Sequence, residues 1–230
     1  MTGAAALDAI AGGLVVSVQA APDSPLARPE HIAAIAQAAA AGGAAGIRAE
    51  GAEDVRAVRA ALDLPIIGLR KRDLFDSPVR ITPSLDDARE QAAAGADLVA
   101  VDATLRARPG YADGAALVAA VARDLGAVVL ADVDTLEAGI AARAAGAVAV
   151  ASTLAGYTDA PAKRDGPDIE LVARLAAALD CPVIAEGRYA SADHVRAALE
   201  AGAHAVVAGT AISDPQALTR QIAAGARMRP

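Results

Sequence analysis

Tryptophan is absent from this 230-residue sequence, and aromatic side chains make up only 2% of it. A core must therefore be built from Ala, Val, Ile and Leu, which suits helices packed closely on a parallel sheet. The single cysteine, Cys181, excludes an internal disulfide and fits a reducing compartment. Just ahead of a proline-led strand, it reads as a small buried side chain. Basic residues are outnumbered, 21 Lys and Arg against 28 Asp and Glu, and a net charge of −7 argues against a nucleic-acid partner. Long apolar runs are missing as well. Mean hydropathy is +0.36, yet no run reaches the roughly 18–20 residues of a spanning helix, so no membrane partner is expected. Met1–Ala11 lacks the basic start and long apolar centre of a secretory leader, and the expectation is a cytoplasmic protein.

Several kinds of site are missing too. No GxGxxG follows a strand and no GxxxxGK[ST] occurs, which disfavours dinucleotide and P-loop sites. No GxSxG elbow exists. His31, His194 and His204 lack metal spacing; the first two read as helix residues and the third as the start of a strand. Neither a metal nor a cofactor is expected.

What is present is a repeat. Helical stretches ending at Gly feed short apolar runs in AAAAGGAAGIRAE (38–50), AAAGADLVAVDAT (92–104), ARAAGAVAVASTL (142–154) and LEAGAHAVVAGT (199–210). Gly43, Gly95, Gly146 and Gly202 supply left-handed helix stops. A second junction, ALDLPIIGLRK (61–71) and ALDCPVIAEGR (178–188), uses Pro to end a helix and open a strand. The glycines are spaced by two strand–helix units of about 25–30 residues each, and eight units fill the chain. Strands are expected at Leu14–Ala20, Ala45–Ala49, Pro65–Leu69, Leu98–Asp102, Val128–Asp132, Val148–Ala151, Pro182–Glu186 and Ala205–Ala208. A short helix at Leu7–Ala11 precedes them. The fold class is α/β, a single (β/α)₈ barrel over residues 1–230, with an open doubly wound sheet as the competitor.

Polar residues stand where the apolar runs end: Gln19, Arg48, Lys71, Asp102, Asp132, Glu186 and Arg188. In a barrel those ends converge on one rim, where barrel enzymes do their chemistry. Strand alternation sends Ser17 and Gln19, Gly46 and Arg48, Leu130 and Asp132, and Ile184 and Glu186 to one side each. Gly187–Arg188 follow the seventh strand and Gly209–Thr210 the eighth, the usual phosphate loops of such barrels. Arg188 could add a bidentate contact, and Asp214–Pro215 reads as the cap and first residue of the last helix. Lys71, in LRKRD (69–73), is flanked by Arg70 and Arg72. Positive neighbours and partial burial lower a lysine's pKa and yield a neutral amine. Such an amine abstracts a proton beside a carbonyl or forms a Schiff base.

These residues, in this order, resemble the N-acetylmannosamine-6-phosphate 2-epimerases. The resemblance is carried by GGLVVSVQA (12–20), GIRAEG (46–51), PIIGLRKRD (65–73), ITPSLDD (81–87), VDATLRARP (101–109), ADVDTLEAG (131–139), STLAGYT (152–158), PVIAEGRY (182–189) and GAHAVVAGTAI (202–212). It implies a metal-free, cofactor-free phosphate-binding barrel of amino-sugar and sialic-acid catabolism, working as a homodimer on a phosphorylated N-acetyl amino sugar. It also implies a deprotonation and reprotonation at C2, adjoining an aldehyde in the open-chain sugar. Lys71 would be the C2 base and Glu186 would assist proton traffic. Asp132 would position the sugar or the lysine, and Arg48 with Gln19 would stabilise oxyanion charge. Gly187, Arg188, Gly209 and Thr210 would hold the phosphate, with Asp102, Thr153 and Tyr157 as further substrate contacts. Departures from the family pattern fall at RPGYADG (108–114), at Ser152–Thr153 in place of paired threonines, and at APAKRDGPD (160–168), which does not match. Two alternatives remain open: a phosphosugar lyase or synthase using Lys71 as a Schiff base, and a non-catalytic phosphosugar-binding barrel.

Overall fold

The computed structural model describes residues 2–160 and 165–226; part of the unmatched stretch 160–168 thus lies outside it. Eight parallel strands close in sequence order, with the first pairing back to the last. They are β1 (Leu14–Val18), β2 (Gly46–Glu50), β3 (Ile66–Leu69), β4 (Leu98–Asp102), β5 (Val129–Asp132), β6 (Ala149–Ala151), β7 (Val183–Glu186) and β8 (Ala205–Ala208). The open doubly wound sheet is excluded by the β1–β8 pairing. The strands fall within a residue or two of their expected places, as both faces are covered and so read as short continuous apolar runs.

Gly43, Gly95, Gly146 and Gly202 all have φ between +96° and +107°, a conformation that glycine adopts without strain. The entries to the helices are set by side-chain caps. Ser84, Asp113, Thr135 and Ser191 each accept an N–H three residues on, opening α4 (Leu85–Ala94), α5 (Gly114–Leu125), α6 (Leu136–Ala144) and α8 (Ala192–Glu200). Outward-facing Val99, Val101, Val129 and Ala131 pack beneath Leu117, Val121, Val172 and Leu175. Small residues let this layer close. A Cβ on Gly139 would meet Leu175 at 2.5 Å.

The barrel interior holds Val15, Ile67, Leu69, Leu98, Ala100, Leu130, Ala149, Ile184 and Val207, all buried. Its lower end is closed by α1 (Gly3–Ile10), which begins four residues earlier than expected because Thr2 caps it. Ala6, Leu7 and Ile10 belong to the interior cluster. Ile10 occupies the space left by Gly46, where a Cβ would lie 2.9 Å from Ile10 Cγ2. His204, which precedes β8, bonds Leu7 O through Nε2 at 2.8 Å and ties the plug to the barrel. Cys181 is only partly buried, against the outer core. It lies two residues ahead of β7, at the barrel's lower edge. No helix among the described residues is long and apolar enough to cross a membrane.

Candidate active site

The upper ends of the strands carry the polar residues, and alternation turns Arg48, Asp102, Asp132 and Glu186 inward. Arg48, the middle residue of β2, is 1% exposed. Its Nη2 donates to Asp132 Oδ2 at 2.6 Å and its Nη1 to Asp132 Oδ1 at 3.2 Å. Nη1 is also 3.1 Å from Glu186 Oε2. Burial opposes the Arg48 charge, but Asp132 and Glu186 outweigh it and hold the guanidinium firmly protonated.

Glu186 behaves in the opposite sense. Burial, joined by the nearby Asp132 anion, pushes its carboxyl up to about 7, against the pull of Arg48, Thr153 and Lys71. Thr153 Oγ1 is 2.6 Å from Asp132 Oδ1 and 3.2 Å from Glu186 Oε2. A hydroxyl has one proton, so Thr153 donates to Asp132 or to Glu186 at any one time, and the bond to Glu186 favours its charged form. The main chain of Glu186 is fixed by Ser152, whose Oγ donates to Glu186 O at 3.0 Å and accepts its N–H at 3.1 Å.

Lys71 stands just past β3, where the chain leaves the barrel wall in a hairpin that pairs Lys71 with Ile81 antiparallel. Ile81 plugs back into the interior, and its carbonyl accepts Asp102 N–H at 3.0 Å. The lysine is open to water in the mouth but hemmed by protein on its other sides. This partial desolvation lowers its pKa, with Arg48 and Arg80 pushing the same way and Glu50 and Glu186 opposing. The depressed amine was expected, but its sequence neighbours are not the cause. Adjacent residues of an extended chain point to opposite sides; Arg72 reaches Asp87 on α4 and Arg70 lies against Gly51. Lys71 follows the end of β3 and Glu186 ends β7, so both belong to the upper rim of the barrel.

The remaining residues divide into four groups. Gln19 follows β1 and donates from Nε2 to Ser17 Oγ at 2.8 Å, while its Oε1 is buried without a partner among the described residues. Gly209 packs over Ser17, with room for a Cβ only at 3.3 Å from Ser17 Cβ, and Thr210 opens the short helix α9 (Thr210–Ser213). Asp214 caps α10 (Pro215–Ala226) by accepting Ala217 N–H at 2.8 Å. Across the mouth, Gly187 has φ +111° and Arg188 φ +62°. Arg188 Nε donates to Gly166 O at 2.6 Å, and its guanidinium stacks 4.9 Å from the centre of the exposed Tyr157 ring. Arg188 is thus turned toward the loop after β6. Asp102 is not brought into the central cluster. Its carboxylate binds Thr104 N and Oγ1 at 3.1 and 2.7 Å and Arg106 Nη2 at 2.8 Å, which shapes its own loop. Glu50, Ser152 and Arg80 also border the site and were not foreseen. The GIRAEG segment carries Glu50 in plain view, two places beyond Arg48.

The fold is the (β/α)₈ barrel of the phosphate-binding type, and its ionisable cluster sits at the end where barrel enzymes carry their active sites. Residues 32–227 match the family described as "Putative N-acetylmannosamine-6-phosphate epimerase". The chain belongs to that family. A curated relative from Synechococcus elongatus, under a name of the same wording but ending in 2-epimerase, is 52% identical over 204 residues, 88% of each chain. Another of that name from Cutibacterium acnes is 46% identical over 215 residues, 91% of this chain and 92% of its own. The solved N-acetylmannosamine-6-phosphate 2-epimerase of Clostridium perfringens superposes with a TM-score of 0.90 at 38% identity, covering 95% of both chains.

Proposed function

We propose that this protein, acting as one barrel domain, interconverts N-acetylmannosamine 6-phosphate and N-acetylglucosamine 6-phosphate by moving a proton at C2. The observation that carries the reading is the pair of groups on one rim: a lysine with depressed pKa, and a carboxyl raised to about 7 and held by Arg48. C2 of the open-chain sugar adjoins an aldehyde, so losing its proton gives an enolate. Neutral Lys71 takes that proton and becomes an ammonium. The enolate takes a proton on its other face from neutral Glu186, which becomes a carboxylate. The reverse direction exchanges the two roles, and proton return between the two groups resets the site.

Arg48, held by Asp132, and the amide of Gln19 stabilise the charge that develops on the enolate oxygen. Thr153 relays between Asp132 and Glu186. Gly187, Arg188, Gly209 and Thr210 hold the 6-phosphate, and Tyr157 borders that end of the mouth; Asp102 contributes through its loop. The proposal includes a cytoplasmic homodimer engaged in amino-sugar catabolism. Supporting the dimer, α10 buries none of its residues and leaves Ile222 77% exposed, although an isolated helix of this length is marginal in water. Sedimentation analysis checks it.

The test of the reaction is incubation with N-acetylmannosamine 6-phosphate in D₂O without added metal, followed by NMR. Deuterium appearing at C2 together with the epimeric product supports the proposal. A C2 proton that never exchanges in the presence of active-concentration enzyme rejects it.

A further inference from the structure

Glu50 ends β2 two places beyond Arg48 on the inward register, so its side chain leaves the strand into the mouth. The β2–β3 ladder runs in register as far as Glu50 and Leu69, and Gly51 N–H closes it on Leu69 O at 2.8 Å. Beyond that point the two main chains separate. Glu50 Oε1 then accepts the main-chain N–H of Lys71 at 3.3 Å, so a side chain takes over the ladder where the hairpin departs.

We propose that Glu50 is a positioning residue for Lys71, fixing the lysine's main chain at the barrel mouth and holding a carboxylate against the turn that carries it. This rests on reading Lys71 as the C2 base. The charged groups acting on the amine are Arg48 and Glu50 from β2, Glu186 from β7 and Arg80 from the hairpin's return arm, with Asp132 of β5 paired to Arg48 and Asp73 of the hairpin paired to Arg80. Partial burial and the two arginines weaken the amine as a base, and Glu50 is the stronger of the two carboxylates opposing them. A base works best with its pKa near the operating pH, so a lysine pushed down without limit would lose the strength to take a carbon-bound proton. Behind Glu50 stands Asp54, pushed up to about 6 by burial and by Glu50 and Glu53, against Arg70. Measurements above pH 7 avoid its titration.

The experiment compares wild type with Glu50→Gln, which keeps an oxygen for the Lys71 N–H and removes the charge. Trace acetylation across pH 7–11 is read at the Lys71 peptide by mass spectrometry. Lys163, the other lysine in the sequence, gives a second signal in the same digest. The apparent pKa of Lys71 is expected to fall by about one unit. The limb of the kcat/KM profile set by Lys71 moves to lower pH with it, while Glu50→Asp returns the labelling curve toward wild type. A Glu50→Gln curve that superimposes on wild type overturns the proposal. So does an Asp variant that shifts as far as the Gln variant. Labelling requires no turnover, so a wild-type protein unable to exchange C2 protons would reject the epimerase reading while leaving the answer on Glu50 intact.

Discussion

Nη1 of Arg48 lies 3.1 Å from Glu186 Oε2, and the same nitrogen is 3.2 Å from Asp132 Oδ1. One buried guanidinium therefore serves two carboxyls, which arrive from β5 and β7 on either side of Thr153. Two anions against one cation would leave an uncompensated charge in a site removed from water, which is costly. Asp132 takes the cation with both oxygens. Glu186 meets it with one, and keeps a proton near neutrality. Burial, joined by the neighbouring Asp132 anion, thus makes an acid of this glutamate against the pull of Arg48.

If Lys71 and Glu186 exchange the C2 proton, Lys71→Ala and Glu186→Gln should each lower kcat at least about a hundredfold, within the range of one proton-transfer group. Both side chains stand at the mouth rather than in the packed interior, so circular dichroism and unfolding midpoints should change little. Near-wild-type turnover in either variant would remove that residue from the chemistry. Borohydride added with substrate should leave Lys71 unmodified; a trapped adduct would favour the Schiff-base alternative.

Ser152 tests whether the placement of Glu186 matters as well as its charge. Its hydroxyl contacts both the N–H and the carbonyl of Glu186. Ser152→Ala leaves those buried main-chain groups unpaired, at a cost of about 1–3 kcal/mol in urea unfolding. A loosened Glu186 should lower kcat while KM for the sugar phosphate stays near wild type. Rescue by Ser152→Thr, which restores the hydroxyl, would separate this from general damage.

The barrel was legible in the sequence because its signals are local. Four glycines stop helices in the left-handed conformation, and Pro65 and Pro182 directly precede β3 and β7. The inward residues Arg48, Asp132 and Glu186 followed from their place at the ends of apolar runs, with strand alternation in support. The hairpin after β3 was not legible, since it depends on Thr82 at φ +44° and on Ile81 returning to the interior. Nor was the source of the Lys71 shift, because Arg80 approaches through that hairpin and Arg48 across the barrel. A signal for Lys71 did exist: the sequence holds nineteen arginines and only two lysines. Where Arg is so preferred, a lysine at a strand end marks a place that needs a group able to lose its proton.

At the other end of the barrel, Ile10 of α1 is 1% exposed and enters the space beside Gly46. Ile10→Ala should cost about 2–5 kcal/mol by urea denaturation, as for other buried large-to-small changes. Because this plug lies opposite the mouth, kcat and KM should be unchanged for the fraction that remains folded. A loss of activity without a loss of stability would show that the lower end is coupled to the site.

Asp132 offers the sharpest test of the arrangement around Arg48. Its anion helps to raise the Glu186 pKa, so Asp132→Asn, which keeps the shape, should let that pKa fall as Arg48 turns wholly to Glu186. In wild type, activity falls with decreasing pH once Glu186 is protonated alongside an already protonated Lys71, and the raised Glu186 carboxyl places that limb near 7. In Asp132→Asn that limb should move to lower pH, while the maximum rate drops because the proton is less often on Glu186. The limb belongs to the coupled pair rather than to one residue, so the comparison is of its displacement between the two proteins. Asp132→Ala removes the partner outright, leaving Arg48 buried with Glu186 alone. That variant should lose about 3 kcal/mol of unfolding stability. An Asn variant whose acidic limb coincides with wild type would show that Glu186 is not held neutral by Asp132.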